Sequence, residues 1–238
     1  MTETRTFWPS DYSGMIVYHL HAYPELAQER RVCDIGTGSG VLAATALQLG
    51  AAEVVATDLD HDALAIAGAS LLRVAPAARF DLRQGSLWEA LPDGSQFDLI
   101  LANLPNFPAE AIVNDGRRAT WSVGGVDGRG AIDPFLAGLP QRLGPGSVAI
   151  FTQNRCVGLQ TTLDKLHANG LVGAVRASAL VPIGPEKMAA LSSVYSEPSG
   201  IVEVAGFVFL GVDLIVAQRV DQPDRIRPDP GSQPGAFA

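Results

Sequence analysis

The sequence predicts an α/β fold, a doubly wound and mostly parallel sheet, and three observations carry that prediction. Short aliphatic runs alternate with apolar helical segments from residue 31 onward. A glycine-rich loop follows directly on the first of those runs. Of the 238 residues, 47% are hydrophobic, enough to cover a parallel sheet on both faces.

The elements follow in order. From Asp11 to about Gln28, the apolar residues Met15, Ile16, Leu20 and Tyr23 fit a helical period, and Pro24 marks an end or a kink. RVCDI (31–35) has a buried-strand pattern and runs into GTGSG, after which VLAATALQLG (41–50) is an apolar helix closed by Gly50. EVVATD (53–58) is a second strand, HDALAIAGASLLRVA (61–75) a helix ending before Pro76, ARFDLRQ (78–84) a third strand and FDLILAN (97–103) a fourth. The stretch 104–130 carries Pro105, Pro108, Gly116, Gly124, Gly125 and Gly128, too long and glycine-rich for a plain connector, and such loops are usually functional. A helix over 131–143, a fifth strand over 146–152 and a helix over 157–170 come next. LVGAVRASALV (171–181) and VAGFVFLGVDLIVAQRV (204–220) complete seven strands.

This pattern implies one domain over 1–220, with 1–29 as an N-terminal lid and helix, and a flexible Pro- and Gly-rich tail over 221–238. A formal net charge of −8 and a pI near 4.9 disfavour a grip on nucleic-acid phosphates. The opening MTETRTFWPSDYSG lacks the basic stretch and apolar run of a signal peptide, and no uninterrupted apolar segment reaches a membrane span, so a cytoplasmic location is expected. Cys33 and Cys156 lack Cys-x-x-Cys spacing, and His19, His21, His61 and His167 form no ligand cluster, so no metal is expected.

The chemistry starts at Asp34-Ile-Gly36-Thr37-Gly38-Ser-Gly40. Residues without Cβ let the backbone turn sharply after a strand and approach a ligand beside the positive end of the next helix. A dinucleotide fingerprint needs Gly-x-Gly-x-x-Gly, but Val41 stands where the third glycine belongs, and there is no Gly-Lys-Ser/Thr of a P-loop. Asp34 would repel a pyrophosphate and suits an ammonium group. Asp58, at the end of the second strand, is placed to accept both hydroxyls of a ribose. Together these describe a nucleoside carrying an amino acid.

On those residues the chain resembles the class I S-adenosylmethionine-dependent methyltransferases, and within them the HemK group of protein glutamine methyltransferases, over about residues 31–151. The resemblance implies a Rossmann-like fold with an antiparallel last strand and S-adenosyl-L-methionine as cofactor. VCDIGTGSG matches the family's cofactor loop, Asp58 its ribose acid, QGSLWEALPDGSQFDLILANLPN its third and fourth strands, and VGGVDG a glycine loop near its substrate site. Carried over in this way, Asp34, Gly36, Thr37, Gly38, Gly40, Asp58, Leu59, Ser86, Leu87 and Asn103 contact the cofactor. Three departures stand out. Ser86 replaces the usual Asp, so the bond expected to the adenine amino group weakens or passes to another residue; the Asn-Pro-Pro-Tyr/Phe signature stands as Asn103-Leu104-Pro105-Asn106; and the residues before Arg31 leave no room for the release-factor-recognition domain.

Methyl transfer needs a nitrogen lone pair aligned with the breaking carbon–sulfur bond, so the site must hold the nitrogen's hydrogens. Asn103 offers a side-chain carbonyl and Leu104 a backbone carbonyl, with Leu104 confined to extended conformations by Pro105. Asn103, Leu104, Pro105 and Asn106 are thus the catalytic candidates, although Asn106 lacks the ring that stacks on a planar acceptor. Trp8, Tyr12, Phe107 and Trp121 are candidates for a replacement aromatic wall at the substrate, with Phe7 behind them and Asp127 and Asp11 as possible amine contacts. The leading expectation is methyl transfer to an amine or amide nitrogen of a small molecule or peptide. Three alternatives stay open: cyclisation of the cofactor's amino-acid arm with release of methylthioadenosine, glutamine methylation of the HemK kind, and a non-catalytic cofactor-binding subunit. Oligomerisation is compatible with the sequence.

Overall fold

The computed structural model describes residues 9–108 and 124–220. Along the chain run α1 (Asp11–Ala22), a 3₁₀ turn (Pro24–Leu26), β1 (Arg31–Ile35), α2 (Val41–Gln48), β2 (Glu53–Asp58), α3 (His61–Val74), β3 (Phe80–Gln84), a 3₁₀ turn (Leu87–Ala90) and β4 (Phe97–Ala102). Then come α4 (Ile132–Arg142), β5 (Leu143–Asn154), a 3₁₀ turn (Arg155–Val157), α5 (Leu159–Ala168), β6 (Leu171–Ile183), α6 (Pro185–Val194), β7 (Ile201–Val204) and β8 (Phe207–Arg219). The expected residues Phe7, Trp8, Trp121 and the tail over 221–238 lie outside the described residues.

Seven strands follow the order β3-β2-β1-β4-β5-β8-β6. β1 to β5 pair in parallel, and β8, the last strand, runs antiparallel between β5 and β6. That is the expected sheet. An eighth strand, β7, pairs only with β8, and α6 precedes it. Both fall in a region where no helix was anticipated. Pro185 starts α6 in the position where its missing N–H costs nothing. The run expected as one strand over 204–220 contains a hairpin: Ala205 and Gly206 take φ of 52° and 82°, and Val204 pairs with Phe207 across them. At the other end, α1 stops at Ala22 instead of reaching Gln28, because Pro24 opens the 3₁₀ turn.

Alternation along the strands divides the core into two layers. On one face Val32, Leu99, Leu101 and Ile150 pack with Ile16 and Leu20 of α1 and Leu42 of α2. On the other, Cys33, Ile35, Ile100 and Phe151 pack with Phe135 and Leu139 of α4. Phe135 is fully buried, and its ring meets Phe151 edge-on at 5.5 Å; burying such a side chain contributes roughly 1.5–3 kcal/mol. The two layers fix the direction of every loop. The chain leaves β1 toward β2 and β3, then returns to β4 on the other side, so the loops after β1 and β4 part and leave a crevice at the strands' carboxyl ends.

Candidate active site

The loop after β1 forms one lip of that crevice. Gly36, Gly38 and Gly40 take φ of 70°, 54° and 77°, a region open to glycine and strained for other residues. At Gly40 space is also short: a Cβ would lie 2.9 Å from the Ala67 Cα, so the glycine lets α2 start against α3. Thr37 fastens the turn, its N–H donating to the Thr57 carbonyl at 2.9 Å and its hydroxyl to Asp34 Oδ2 at 2.6 Å. The Ala43 N–H, in the first turn of α2, donates to the same oxygen at 3.1 Å.

Asp34 is fully buried. Burial pushes its carboxyl from 3.8 up to about 7, against the lowering effect of the Thr37 and Ala43 hydrogen bonds, with the Asp58 charge adding to the rise. Its Oδ1 has no hydrogen-bond partner among the described residues. The sequence points to Asp34 as a direct ammonium contact; the structure gives it first the task of holding the loop to α2, since it is absent from the cavity wall. Thr37 and Gly40 likewise support from behind.

The crevice encloses a cavity of about 580 Å³, within the usual range for ligand pockets. Gly36 and Gly38 reach it from the loop after β1, Asp58 and Leu59 from the end of β2, Ser86 and Leu87 from the end of β3, and Asn103, Leu104 and Pro105 from the end of β4. Asp58 accepts from the Gly38 N–H and the Asp60 N–H, one on each oxygen, both at 2.9 Å. Each oxygen keeps a lone pair, so the carboxylate is fixed in place and still able to receive two hydroxyls. Leu87, at φ 48°, is a non-glycine residue in the left-handed region on the cavity wall, a placement that costs about 1–3 kcal/mol and clusters at ligand sites.

At the β4 lip the signature is knitted from three directions. The Asn103 amide nitrogen donates to Ser10 Oγ at 3.0 Å and Ser13 Oγ at 2.9 Å, at the start of α1, and its Oδ1 accepts from the Thr152 hydroxyl at 2.9 Å. Leu104 packs its side chain over Gly36, where a Cβ would meet Leu104 Cδ2 at 3.1 Å. Asn106 is 2% exposed and lies off the cavity wall. Its amide nitrogen donates to the Leu104 carbonyl at 3.0 Å, and its Oδ1 accepts from the Asn154 side chain at the end of β5. Asn106 is therefore a brace for the signature. Asn103 and Leu104 both line the cavity, and the carbonyl oxygen of each accepts one hydrogen bond from the protein and carries a second lone pair.

The second glycine loop closes against this brace. Gly124 donates its N–H to the Phe107 carbonyl at 2.7 Å; a Cβ on Gly124 would sit 2.9 Å from the Asn106 Cα, and one on Gly128, at φ 74°, 2.8 Å from the Asn106 carbonyl oxygen. Arg129 anchors the loop to the body through Asp133 and the Val157 carbonyl. Hydrogen bonds and charge from Arg129 and Lys165 hold Asp133 below its usual value although burial opposes them. Tyr195, following α6, donates its hydroxyl to the Asp127 carbonyl at 2.7 Å. Gly124 and Gly125 line the cavity, whereas the Asp127 carboxylate caps the Arg129 N–H.

Two of the aromatic expectations are corrected. Phe107 belongs to the core beneath α4, 8% exposed, with the Lys187 ammonium 4.8 Å from its ring, because the bracing of Asn106 carries the next residue inward. Tyr12 donates its hydroxyl to Asn154 Oδ1 at 2.7 Å and supports the signature from below, off the cavity wall. Asp11 lies exposed in the first turn of α1. Among the described residues the aromatic side chain on the cavity wall is Trp88, which sequence reasoning missed along with Glu89 and Pro134. Its indole stacks on Phe135 at 5.3 Å and donates to the Pro134 and Phe135 carbonyls at 3.1 and 3.2 Å. The available signal was its place two residues after Ser86, at the carboxyl end of a parallel strand.

The fold is the Rossmann-like fold of class I S-adenosylmethionine-dependent methyltransferases, and comparisons with known proteins agree. The family model described as ribosomal protein L11 methyltransferase (PrmA) matches residues 15–121. A release factor glutamine methyltransferase of Bordetella pertussis is 39% identical over 122 residues, 49% of this chain and 44% of the relative. The chain thus spans about half the length of the curated relatives it matches. Among solved structures, the E. cuniculi Mtq2–Trm112 complex, responsible for methylation of the eRF1 termination factor, superposes at a TM-score of 0.57, 18% identity, covering 90% of this chain and 98% of that one. The T. thermophilus 16S rRNA methyltransferase RsmC, in complex with AdoMet and guanosine, superposes at 0.54, 19% identity, covering 92% of this chain and 45% of that one.

The residues present fit S-adenosylmethionine. Asp58 retains the acceptor pair a ribose needs, a Cβ at Gly36 or Gly40 would crowd its neighbours, and Leu59, Leu87 and Trp88 offer apolar walls. Among the described residues no helix is long and apolar enough to cross a membrane, and no group of three or more potential ligands is placed to hold a metal ion.

Proposed function

We propose that this chain is a cytoplasmic enzyme, a single catalytic domain over residues 1–220, that transfers the methyl group of S-adenosylmethionine to an amine or amide nitrogen of a small molecule or peptide. The observation that carries this reading is that Asn103 and Leu104 both line the cavity, with their carbonyl oxygens each held by one protein donor, Thr152 and Asn106, and each carrying a second lone pair. When bound, the cofactor supplies an electrophilic methyl carbon on a positively charged sulfur. The two carbonyls accept the nitrogen's hydrogens and so aim its lone pair. Ser10, Ser13, Thr152 and Asn106 hold the carbonyls still, which keeps the alignment without reorganisation during the reaction. An amine can release its proton to water, so no general base is assigned.

The relatives' printed function favours a glutamine amide in a protein as the acceptor, a second reading supported by the identity shared with the release factor enzyme. Without an aromatic ring at position 106, a planar amide loses its stacking partner, so recognition would fall to a partner protein. Methylation assays with labelled cofactor, run in parallel on glutamine peptides, release factor and small amines, separate the two. Label on small amines or free peptides supports the first reading; label on release factor alone supports the second; and label on none of them, with the cofactor bound, contradicts both.

A further inference from the structure

We propose that Glu89 reads the exocyclic amino group of the cofactor's purine, taking over a contact that the short, uncharged Ser86 leaves open. The inference concerns the cofactor alone and is independent of which acceptor is methylated.

Beside Asp58 the cleft is bounded by Leu59 after β2 and by Leu87 and Trp88 after β3, apolar walls that suit a purine next to a ribose held by Asp58. A purine amino group brought there loses water and needs an acceptor. The polar side chains on the wall nearby are already engaged. Asp58 holds the Gly38 and Asp60 N–H groups and faces the ribose position. The Asn103 amide is held by Ser10, Ser13 and Thr152. The Trp88 N–H donates to the Pro134 and Phe135 carbonyls and is no acceptor.

Glu89 differs from all of these. It lines the cavity, is exposed, and makes no side-chain hydrogen bond or ion pair among the described residues. Its N–H donates to the Ser86 carbonyl at 3.0 Å, closing the 3₁₀ turn over Leu87–Ala90. That bond brings Glu89 back beside Ser86, both on the cavity wall, and Glu89 carries the longer side chain. Gly85 makes the fold-back possible, since a Cβ there would stand 2.9 Å from the Ala90 Cβ. The outcome is a carboxylate, acceptor only, beside the apolar purine walls. It receives a C6 amino group and repels a C6 carbonyl.

Calorimetric binding of S-adenosylhomocysteine and of its deaminated analogue S-inosylhomocysteine tests this directly. The wild-type chain is expected to bind the adenine compound about tenfold to a hundredfold more tightly, the value of one hydrogen bond to a charged group. In Glu89→Ala that preference disappears through weaker adenine binding. In Glu89→Gln the inosine compound binds more tightly than to wild type, because the new amide donates to the C6 carbonyl. The double variant Ser86→Asp with Glu89→Ala restores the adenine preference by returning a carboxylate to the neighbouring position. Glu89 is exposed, so these variants fold. An adenine preference that is missing in the wild type, or unchanged in Glu89→Ala, overturns the assignment.

Discussion

The side-chain amide of Asn106 donates a 3.0 Å hydrogen bond to the backbone carbonyl of Leu104, two residues back in the same signature. The residue that lacks a stacking ring is thereby the one that fixes the Leu104 carbonyl, and it is itself held by Asn154 from β5. Asn106→Ala strips the Oδ1 acceptor from the buried Asn154 side chain and releases Leu104. Urea denaturation should show a loss of about 1–3 kcal/mol in unfolding free energy, together with a fall in turnover. A variant as stable as the wild type would show that the brace carries no weight.

Asp58 and Asn103 should separate binding from chemistry. Asp58→Ala removes the ribose acceptors and the anchor of the Gly38 N–H, so calorimetry should record a loss of cofactor affinity on the order of a hundredfold. Asn103→Ala should keep that affinity within a small factor and lose turnover. Loss of cofactor binding in Asn103→Ala would move that residue into the cofactor's own site.

Gly138, within α4, offers a test with an unusual sign. Gly→Ala at a compatible helical site usually stabilises by about 0.4–1 kcal/mol. Here the added Cβ would lie 2.1 Å from Trp88 Nε1, in the space the indole occupies. Gly138→Ala should therefore lower the melting temperature and weaken cofactor binding by displacing Trp88 from the cavity wall. A stabilised protein with unaltered affinity would contradict the role given to that ring.

The raised pKa of Asp34 predicts a pH dependence of stability. A carboxyl moved from 3.8 in the unfolded chain to about 7 in the folded one binds more protons when folded. Its stabilising contribution is full below pH 3.8 and is lost as pH rises to about 7. Asp34→Asn keeps an acceptor for Thr37 and Ala43 without the ionisation. Relative to the wild type, the variant should gain stability between pH 4 and pH 7, read from denaturant unfolding at each pH, on the order of a few kcal/mol at most. A constant difference across that range would contradict the buried-carboxyl account.

How much of this was legible in the sequence depends on how local the cause is. The alternation of Val32, Cys33 and Ile35 and the three glycines after them are local, and strand, loop and cavity lip follow where the pattern placed them. Ser10 and Ser13 reach Asn103 across 93 and 90 residues, and no periodicity signals a hydroxyl that caps a helix and holds an amide at once. Trp88 becomes a wall because Gly138 on α4 leaves a notch for it, a tertiary fact. Phe107 went astray because the resemblance supplied an aromatic role at the signature, while burial of Asn106 turned the chain into the core. Strand β7 was missed because only its last residue, Val204, falls in the run expected as one strand, and Ala205-Gly206 turns the chain inside that run.

The central claim is that the cleft moves a methyl group to nitrogen, and the nucleoside left behind tests it most directly. The purified chain is incubated with S-adenosylmethionine, with and without a nitrogen acceptor, and the nucleoside products are identified by mass spectrometry. S-adenosylhomocysteine that forms only with the acceptor, in equal amount to the methylated nitrogen and absent in Asn103→Ala, is the expected result. Methylthioadenosine above the uncatalysed background, formed without any acceptor, would contradict the claim and assign the cleft to cyclisation of the cofactor's own amino-acid arm.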